Sequence, residues 1–133
     1  MRLSLTTLVV PEYDPAVDYF TRTLGFFLIT DKRLGPEKRW VVVSPSEDGA
    51  HGLLLAKATS ERQKDRIGDQ SGGRVSFFLE TDDFQSTYST FLERGVKFTE
   101  SPRAEDYGMV AVFEDIYGNR WDLLGTNSPA AGG

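Results

Sequence analysis

Along this chain, stretches of apolar and β-branched residues alternate with stretches whose apolar positions recur every third or fourth residue, and the same succession occurs twice. Residues 3–10 predict a strand. Asp14-Pro15 predicts a helix start, because a carboxylate accepts from free N–H groups and proline suits the first helical position. Val17, Phe20 and Leu24 follow at helical spacing, and Gly25 fits the left-handed position that ends a helix. Residues 26–30 and 39–44 predict two strands joined through Leu34-Gly35-Pro36. Asp48-Gly49 is a turn signal ahead of a fourth strand, residues 52–58.

Residues 59–73 form a polar connection, with Glu61-Arg62-Gln63-Lys64-Asp65-Arg66 followed by Gly68 and Gly72-Gly73. Mixed signs make this run a solvated, partly helical face rather than a binding patch. The second half then repeats the first: a strand at 74–81, a helix from Asp83 to Arg94 with Phe84, Tyr88, Phe91 and Leu92 on one face, and strands at 96–100, 109–114 and 119–124. The division expected is a first module at 1–58, the linker at 59–73, a second module at 74–125 and a disordered tail at 126–133.

Superposing the halves gives Leu8 on Leu79, Tyr13 on Phe84 and Phe20 on Phe91 at an offset of 71. The offset becomes 70 from Gly25 on Gly95 through Val41-Val42-Val43 on Ala111-Val112-Phe113, and 69 where Asp48-Gly49 meets Tyr117-Gly118. The plan is βαβββ, twice, an α+β architecture. One helix covers one face of a four-stranded half. Pairing two halves therefore predicts a curved eight-stranded sheet around a cleft, with the helices outside.

At 133 residues the chain suits one compact unit, and its apolar content is ordinary for a soluble protein. No apolar run approaches a membrane span and no basic-apolar leader opens the chain, so no membrane partner is expected. The absence of cysteine removes thiolate ligands, thiol nucleophiles and disulfides, and fits a cytoplasmic setting. A net charge of −5 opposes nucleic-acid binding and mildly favours cationic or neutral ligands.

Two motifs within this frame carry a resemblance: Leu8-Val9-Val10-Pro11-Glu12-Tyr13-Asp14 leading to Leu24-Gly25-Phe26, and Val112-Phe113-Glu114-Asp115-Ile116-Tyr117-Gly118-Asn119-Arg120-Trp121-Asp122-Leu123. Over about residues 2–125 the chain resembles the vicinal oxygen chelate superfamily of glyoxalases, bleomycin-resistance proteins and extradiol dioxygenases. The resemblance implies a homodimer and, in the enzymes, a divalent metal held by His, Glu or Gln from four strands. Such an ion has open positions that polarise two substrate oxygens. On the offsets above, the four positions read Leu5, Leu53, Ser76 and Asp122. Two are hydrocarbon, one is a weak hydroxyl and one is a carboxylate, so no metal or other cofactor is expected. A divalent metal returns only if the register is wrong, and shifts of one residue (Ser4 or Thr6, Gly52 or Leu54, Val75 or Phe77, Trp121 or Leu123) do not restore a donor set. His51, the single histidine, reads as an exposed residue beside a turn, or else as a base at the cleft edge or a displaced metal ligand.

Strand alternation places Thr7, Val9, Leu53, Leu55, Ser76, Phe78, Glu80, Arg120, Asp122 and Leu124 on the concave face, an apolar bowl with few polar groups. Arg74 and Arg120 flank Ser76 and Asp122, which predicts an internal ion pair. Tyr107 and Met109 are expected at a lip, and Trp121 on the helix side. Asp122 and Glu80 are the acid/base candidates; the Asp82-Asp83 pair reads as a helix cap. The leading expectation is metal-free small-molecule binding, similar in plan to bleomycin-resistance proteins. The alternatives are a glyoxalase-like metal-dependent lyase, isomerase or dioxygenase, and an interaction module.

Overall fold

The computed structural model describes residues 1–125; the tail expected at 126–133 lies outside the described residues. The chain divides into two compact units, Met1–Ile67 and a second beginning at Gly68. In the first, β1 (Leu5–Val10), β2 (Phe27–Arg33), β3 (Arg39–Ser44) and β4 (Gly52–Lys57) form one sheet in the order β1-β4-β3-β2. A helix, α1 (Tyr13–Asp18), continues as a π-helical turn through Tyr19–Thr23, and a short α2 (Glu61–Lys64) follows β4. In the second unit, β5 (Val75–Thr81), α3 (Phe84–Glu93), β6 (Lys97–Phe98), β7 (Arg103–Glu105), β8 (Gly108–Glu114) and β9 (Arg120–Gly125) repeat the plan, in the order β5-β9-β8-β6 with β7 also on β8. Each sheet is mixed: β1 runs parallel to β4, and β5 to β9, while the remaining pairs are antiparallel.

The α+β expectation of tandem βαβββ modules is observed, with nine strands in place of eight. The extra strand arises in the expected loop before the last hairpin. Pro102 has no N–H to give the ladder and disfavours the helical region for Ser101, so pairing stops after Phe98 and resumes at Arg103. The counterpart β2 has no proline; its register shifts between Leu28 and Thr30, but it runs three residues beyond the expected end at Thr30, pairing as far as Arg33 with Arg39.

Both helix starts carry an acidic residue, and only one uses it as a cap. The Asp83 carboxylate accepts from Ser86 N–H at 3.1 Å, as expected of the Asp82-Asp83 pair. At α1 the N-cap position is Glu12, which makes no side-chain cap. Asp14 lies inside the first turn and turns to Arg39 instead, so the expected Asp14 cap is corrected. Gly25, at φ 75, ends this helix as predicted. On α3, Phe84 and Phe91 are buried, whereas Leu92 is 48% exposed. One residue further around the helix than Phe91, it falls off the inward stripe.

The first core consists of Leu8, Val10, Ala16, Phe20, Val41, Val43, Leu53 and Leu55, with α1 packed on β3 and β4. In the second, Phe91 meets Phe113 edge-on at 5.5 Å, Phe113 stacks on Trp121 at 5.7 Å, and Phe77 lies 4.5 Å from Trp121. Burial of each such aromatic side chain contributes about 2 kcal/mol or more.

Candidate functional site

Each sheet has one face under its helix and one face turned away, and the register decides which residues stand on the second. In the first unit β1 and β4 pair Leu5 with Gly52, Thr6 with Leu53, Thr7 with Leu54, Leu8 with Leu55 and Val9 with Ala56. Paired residues share a face. Thr7 and Val9 therefore stand with Leu54 and Ala56, while Leu53 and Leu55 stand with Leu8 and are 5% and 0% exposed. The expected placement of Leu53 and Leu55 on the open face is corrected: both belong to the core under α1. His51 is exposed, with its Nε2 3.3 Å from Thr6 Oγ1, on the side of Leu53 rather than among the open-face residues.

The error is a one-residue slip with a local cause. Val43 pairs with Leu53, and Phe113 with Trp121, so the second hairpin closes with two residues fewer. One is lost on each side of the turn glycine, Gly49 or Gly118. The repeat offset therefore passes from 70 at β3 through 69 at the glycine to 68 at β4, and the residue equivalent to Asp122 is Leu54.

In the second unit Phe78 pairs with Asp122 and Glu80 with Leu124, while Phe77 and Leu79 pair with the buried Trp121 and Leu123. The open face thus carries Phe78, Glu80, Asp122 and Leu124, with Val112 opposite Asp122 on β8. Trp121 is on the α3 side, as expected. Ser76 stands at a register shift between Val75 and Phe77. Its hydroxyl lies 2.8 Å from Ser71 Oγ, which itself donates to the Arg74 carbonyl at 2.6 Å, so Ser76 is the donor between the two. Tyr107 is exposed at the tip of the β7–β8 turn. Met109 pairs with Ala104, and a Cβ added at Gly125 would meet Met109 and Phe84 together, so Met109 stands on the Phe84 side and its expected place on the lip is corrected.

Arg120 is exposed and donates from Nη1 to the Gly73 carbonyl at 3.3 Å; it forms no ion pair with Asp122, contrary to expectation. The guanidinium that acts most on Asp122 is Arg103, on β7, which is itself bonded to Glu100 and to Glu105. Partial burial holds the Asp122 carboxyl above the ordinary carboxylate range. Arg103 and Arg120 oppose that shift and Glu100 adds to it. Arg103 escaped sequence reasoning because 101–108 reads as a loop, and Glu100 because it stood at the end of the strand expected at 96–100. The available signal was Arg103-Ala104-Glu105 running into a two-residue turn at Asp106-Tyr107.

Behind this face, Asp115 fixes the β8–β9 turn. Its carboxylate accepts from Tyr117 N, Asn119 N, Asn119 Nδ2 and, at 3.0 Å, Trp121 Nε1. Burial nonetheless raises its pKa, with the four donors working against the shift. The anchored indole sets the phase of β9 and so aims Asp122 outward.

The positions at which the fold family carries a metal now read Leu5 and Leu54 in the first unit, Ser76 and Asp122 in the second. Hydrocarbon offers no lone pair, and the Ser76 hydroxyl, whose proton goes to Ser71, is only a weak neutral ligand. No group of three or more His, Cys, Asp or Glu side chains among the described residues is arranged to hold a metal. This donor set does not fit a divalent transition metal.

The model of the Glyoxalase/Bleomycin resistance protein/Dioxygenase superfamily matches residues 2–123. The chain belongs to this superfamily. Among solved structures, it is similar to UcmS2, at 30% identity and TM-score 0.80, covering 93% of this chain and 97% of the other. It is also similar to TnmS3, an antibiotic binding protein from Streptomyces sp. CB03234, at 26% identity and TM-score 0.75 over 96% and 97% of the two chains. An uncharacterized protein of Shewanella frigidimarina is 51% identical over 121 residues, 90% of each chain. The uncharacterized YurT of Bacillus subtilis is 32% identical over 124 residues.

Proposed function

We propose that this superfamily member binds an organic small molecule non-covalently on its open sheet faces, without a metal. The observation that carries the reading is the content of the four metal positions: Leu5 and Leu54 bring no donor, Ser76 only a weak neutral hydroxyl, and Asp122 alone cannot hold a transition metal. What remains is an apolar surface in each unit, Thr7, Val9, Leu54 and Ala56 in the first and Phe78 and Leu124 in the second, each with a few polar groups. That is the composition of ligand-binding surfaces rather than of metal centres. Similarity to TnmS3, described as an antibiotic binding protein, supports the same reading. Thermal-shift screening of a broad panel that includes antibiotics tests it. A binder raises the melting temperature in proportion to the logarithm of its concentration, and a panel without a single shift counts decisively against the reading.

The metal-dependent alternative predicts a different result. After incubation with nickel, zinc, manganese and iron followed by desalting, the proposed function expects less than about a tenth of an equivalent of each metal per chain. Near one equivalent of a single metal, lost in Asp122→Ala, would restore the lyase, isomerase or dioxygenase class. Acid/base work by Asp122 or Glu80 without a metal would appear as turnover in the same apo protein. The proposal places the protein in the cytoplasm as a homodimer, for which light scattering should return twice the 14.9 kDa chain mass. No helix among the described residues is long and apolar enough to cross a membrane.

A further inference from the structure

On the open face of the second sheet, Asp122 and Glu80 both stand without a bonded partner among the described residues, and of the two only Asp122 is withdrawn from water. Asp122 lies mid-strand on β9, between Phe78 on β5 and Val112 on β8, with Leu124 two residues on. It is half-buried, and among the described residues its oxygens take part in no hydrogen bond and no ion pair. Both guanidiniums near it are committed elsewhere: Arg103 to Glu100 and Glu105, Arg120 to the Gly73 carbonyl. Partial removal from water without a compensating donor costs free energy, which a ligand carrying its own positively charged donor recovers. A neutral hydroxyl recovers less. An anion meets Asp122 and Glu100 together. Beside the carboxylate, Phe78 is 64% exposed, a large aromatic surface suited to stacking or to a cation over its ring.

We propose that this face takes a ligand with a flat apolar body and a basic amine, the ammonium bonded to the Asp122 carboxylate and the body lying on Phe78. The proposal rests on the small-molecule reading above and adds to it the ligand's charge and its anchor.

Three probes of one shape test it: 1-naphthylmethylamine as the cation, 1-naphthalenemethanol as the neutral analogue and 1-naphthoate as the anion. Dissociation constants come from amide shift titrations of the full chain in about 0.15 M salt, where diffuse attraction by the net charge is largely screened. The amine should bind about ten-fold tighter than the alcohol, and naphthoate weakest. Asp122→Asn should bring the amine within about two-fold of the alcohol while leaving the alcohol unchanged. Glu80→Gln, which removes an exposed charge from the same face, should keep the preference. Phe78→Ala should weaken both the amine and the alcohol. If Asp122→Asn melts well below the parent, Asp122→Ser carries the comparison. Equal binding of amine and alcohol, a preference that survives in Asp122→Asn, or one lost equally in Glu80→Gln overturns the proposal and leaves the small-molecule reading standing. Absence of binding by all three probes overturns the proposal and counts against that reading as well.

Discussion

Arg39 ties together three pieces of the first unit. Its Nε and Nη2 donate to the two oxygens of Asp31 on β2 at 3.1 and 2.7 Å, and Nη1 donates to Asp14 on α1 at 2.7 Å. The guanidinium also lies 5.1 Å from the centroid of the Tyr13 ring, whose hydroxyl accepts the Arg39 backbone N–H. Only 16% of the Arg39 side chain is exposed, against 83% of Asp14, so the fork to Asp31 matters more than the pair with Asp14. Arg39→Ala should cost about 2 kcal/mol in urea unfolding, and Arg39→Lys about half of that, since lysine keeps the charge and loses the bidentate geometry. The pH dependence has a definite sign. The fork holds the Asp31 pKa below its ordinary 3.8, so the native state sheds this proton more readily than the unfolded chain. The associated stability is present above pH 3.8 and is lost as pH falls through the lowered native value. In Arg39→Ala that acid-side loss should flatten. None of this was legible in the sequence: Asp14 before a proline is an ordinary cap signal, and only tertiary placement diverts its carboxylate to a strand 25 residues away.

At the scale of the elements, the order of helices and strands was legible because two periodicities alternate and repeat. What escaped was phase. A turn glycine can be matched between repeats while the residues on either side of it are not. A slip of one residue then exchanges core for surface along a whole strand. Leu53→Ala and Leu54→Ala separate the two registers directly. The first empties a core site and should cost about 2–4 kcal/mol, the second less than about half as much, as read from denaturant midpoints. The reverse ranking would restore the register inferred from the glycine match. Gly68, inside the polar connection, makes a related case. Its φ of 76 is left-handed, and a Cβ there would run into the Tyr117 carbonyl oxygen. Gly68→Ala should destabilise by about 2 kcal/mol or more, whereas Gly72→Ala, equally left-handed but with open space around it, should cost only about 1. The strand β7 stayed hidden for a different reason: three residues are too few to show a period, and their charged positions resemble a loop.

For the molecule as a whole, family membership followed from motifs and repeat together, while the candidate site was legible only in part. Asp122, Phe78, Glu80 and Thr7 stand on open faces as alternation predicted; Leu53, Leu55 and Met109 do not, and Arg103 was missed. The slip leaves the donor set as poor as the sequence made it, because Leu54 is as unable to hold a metal as Leu53. Ligand binding at such a surface should register globally. A compound present at about 100 times its dissociation constant adds about 2.7 kcal/mol to unfolding, a shift of several degrees for a chain of this size. The same compound should shift Asp122→Asn less, if its amine is what the carboxylate holds.

The two outer strands facing away from β1 and β5 are built differently. In the second unit the border is broken at Pro102 and studded with Lys97, Arg103 and Glu105, features that discourage another chain from pairing there. In the first, β2 is a seven-residue border whose Phe27, Leu28 and Ile29 are all substantially exposed. A consequence concerns the protein in the tube. Heated or concentrated samples should aggregate through β2, strand adding to strand, before any other part of the surface is involved. A single lysine at Leu28 should raise the temperature at which turbidity sets in, by giving the first border the protection that the second already has.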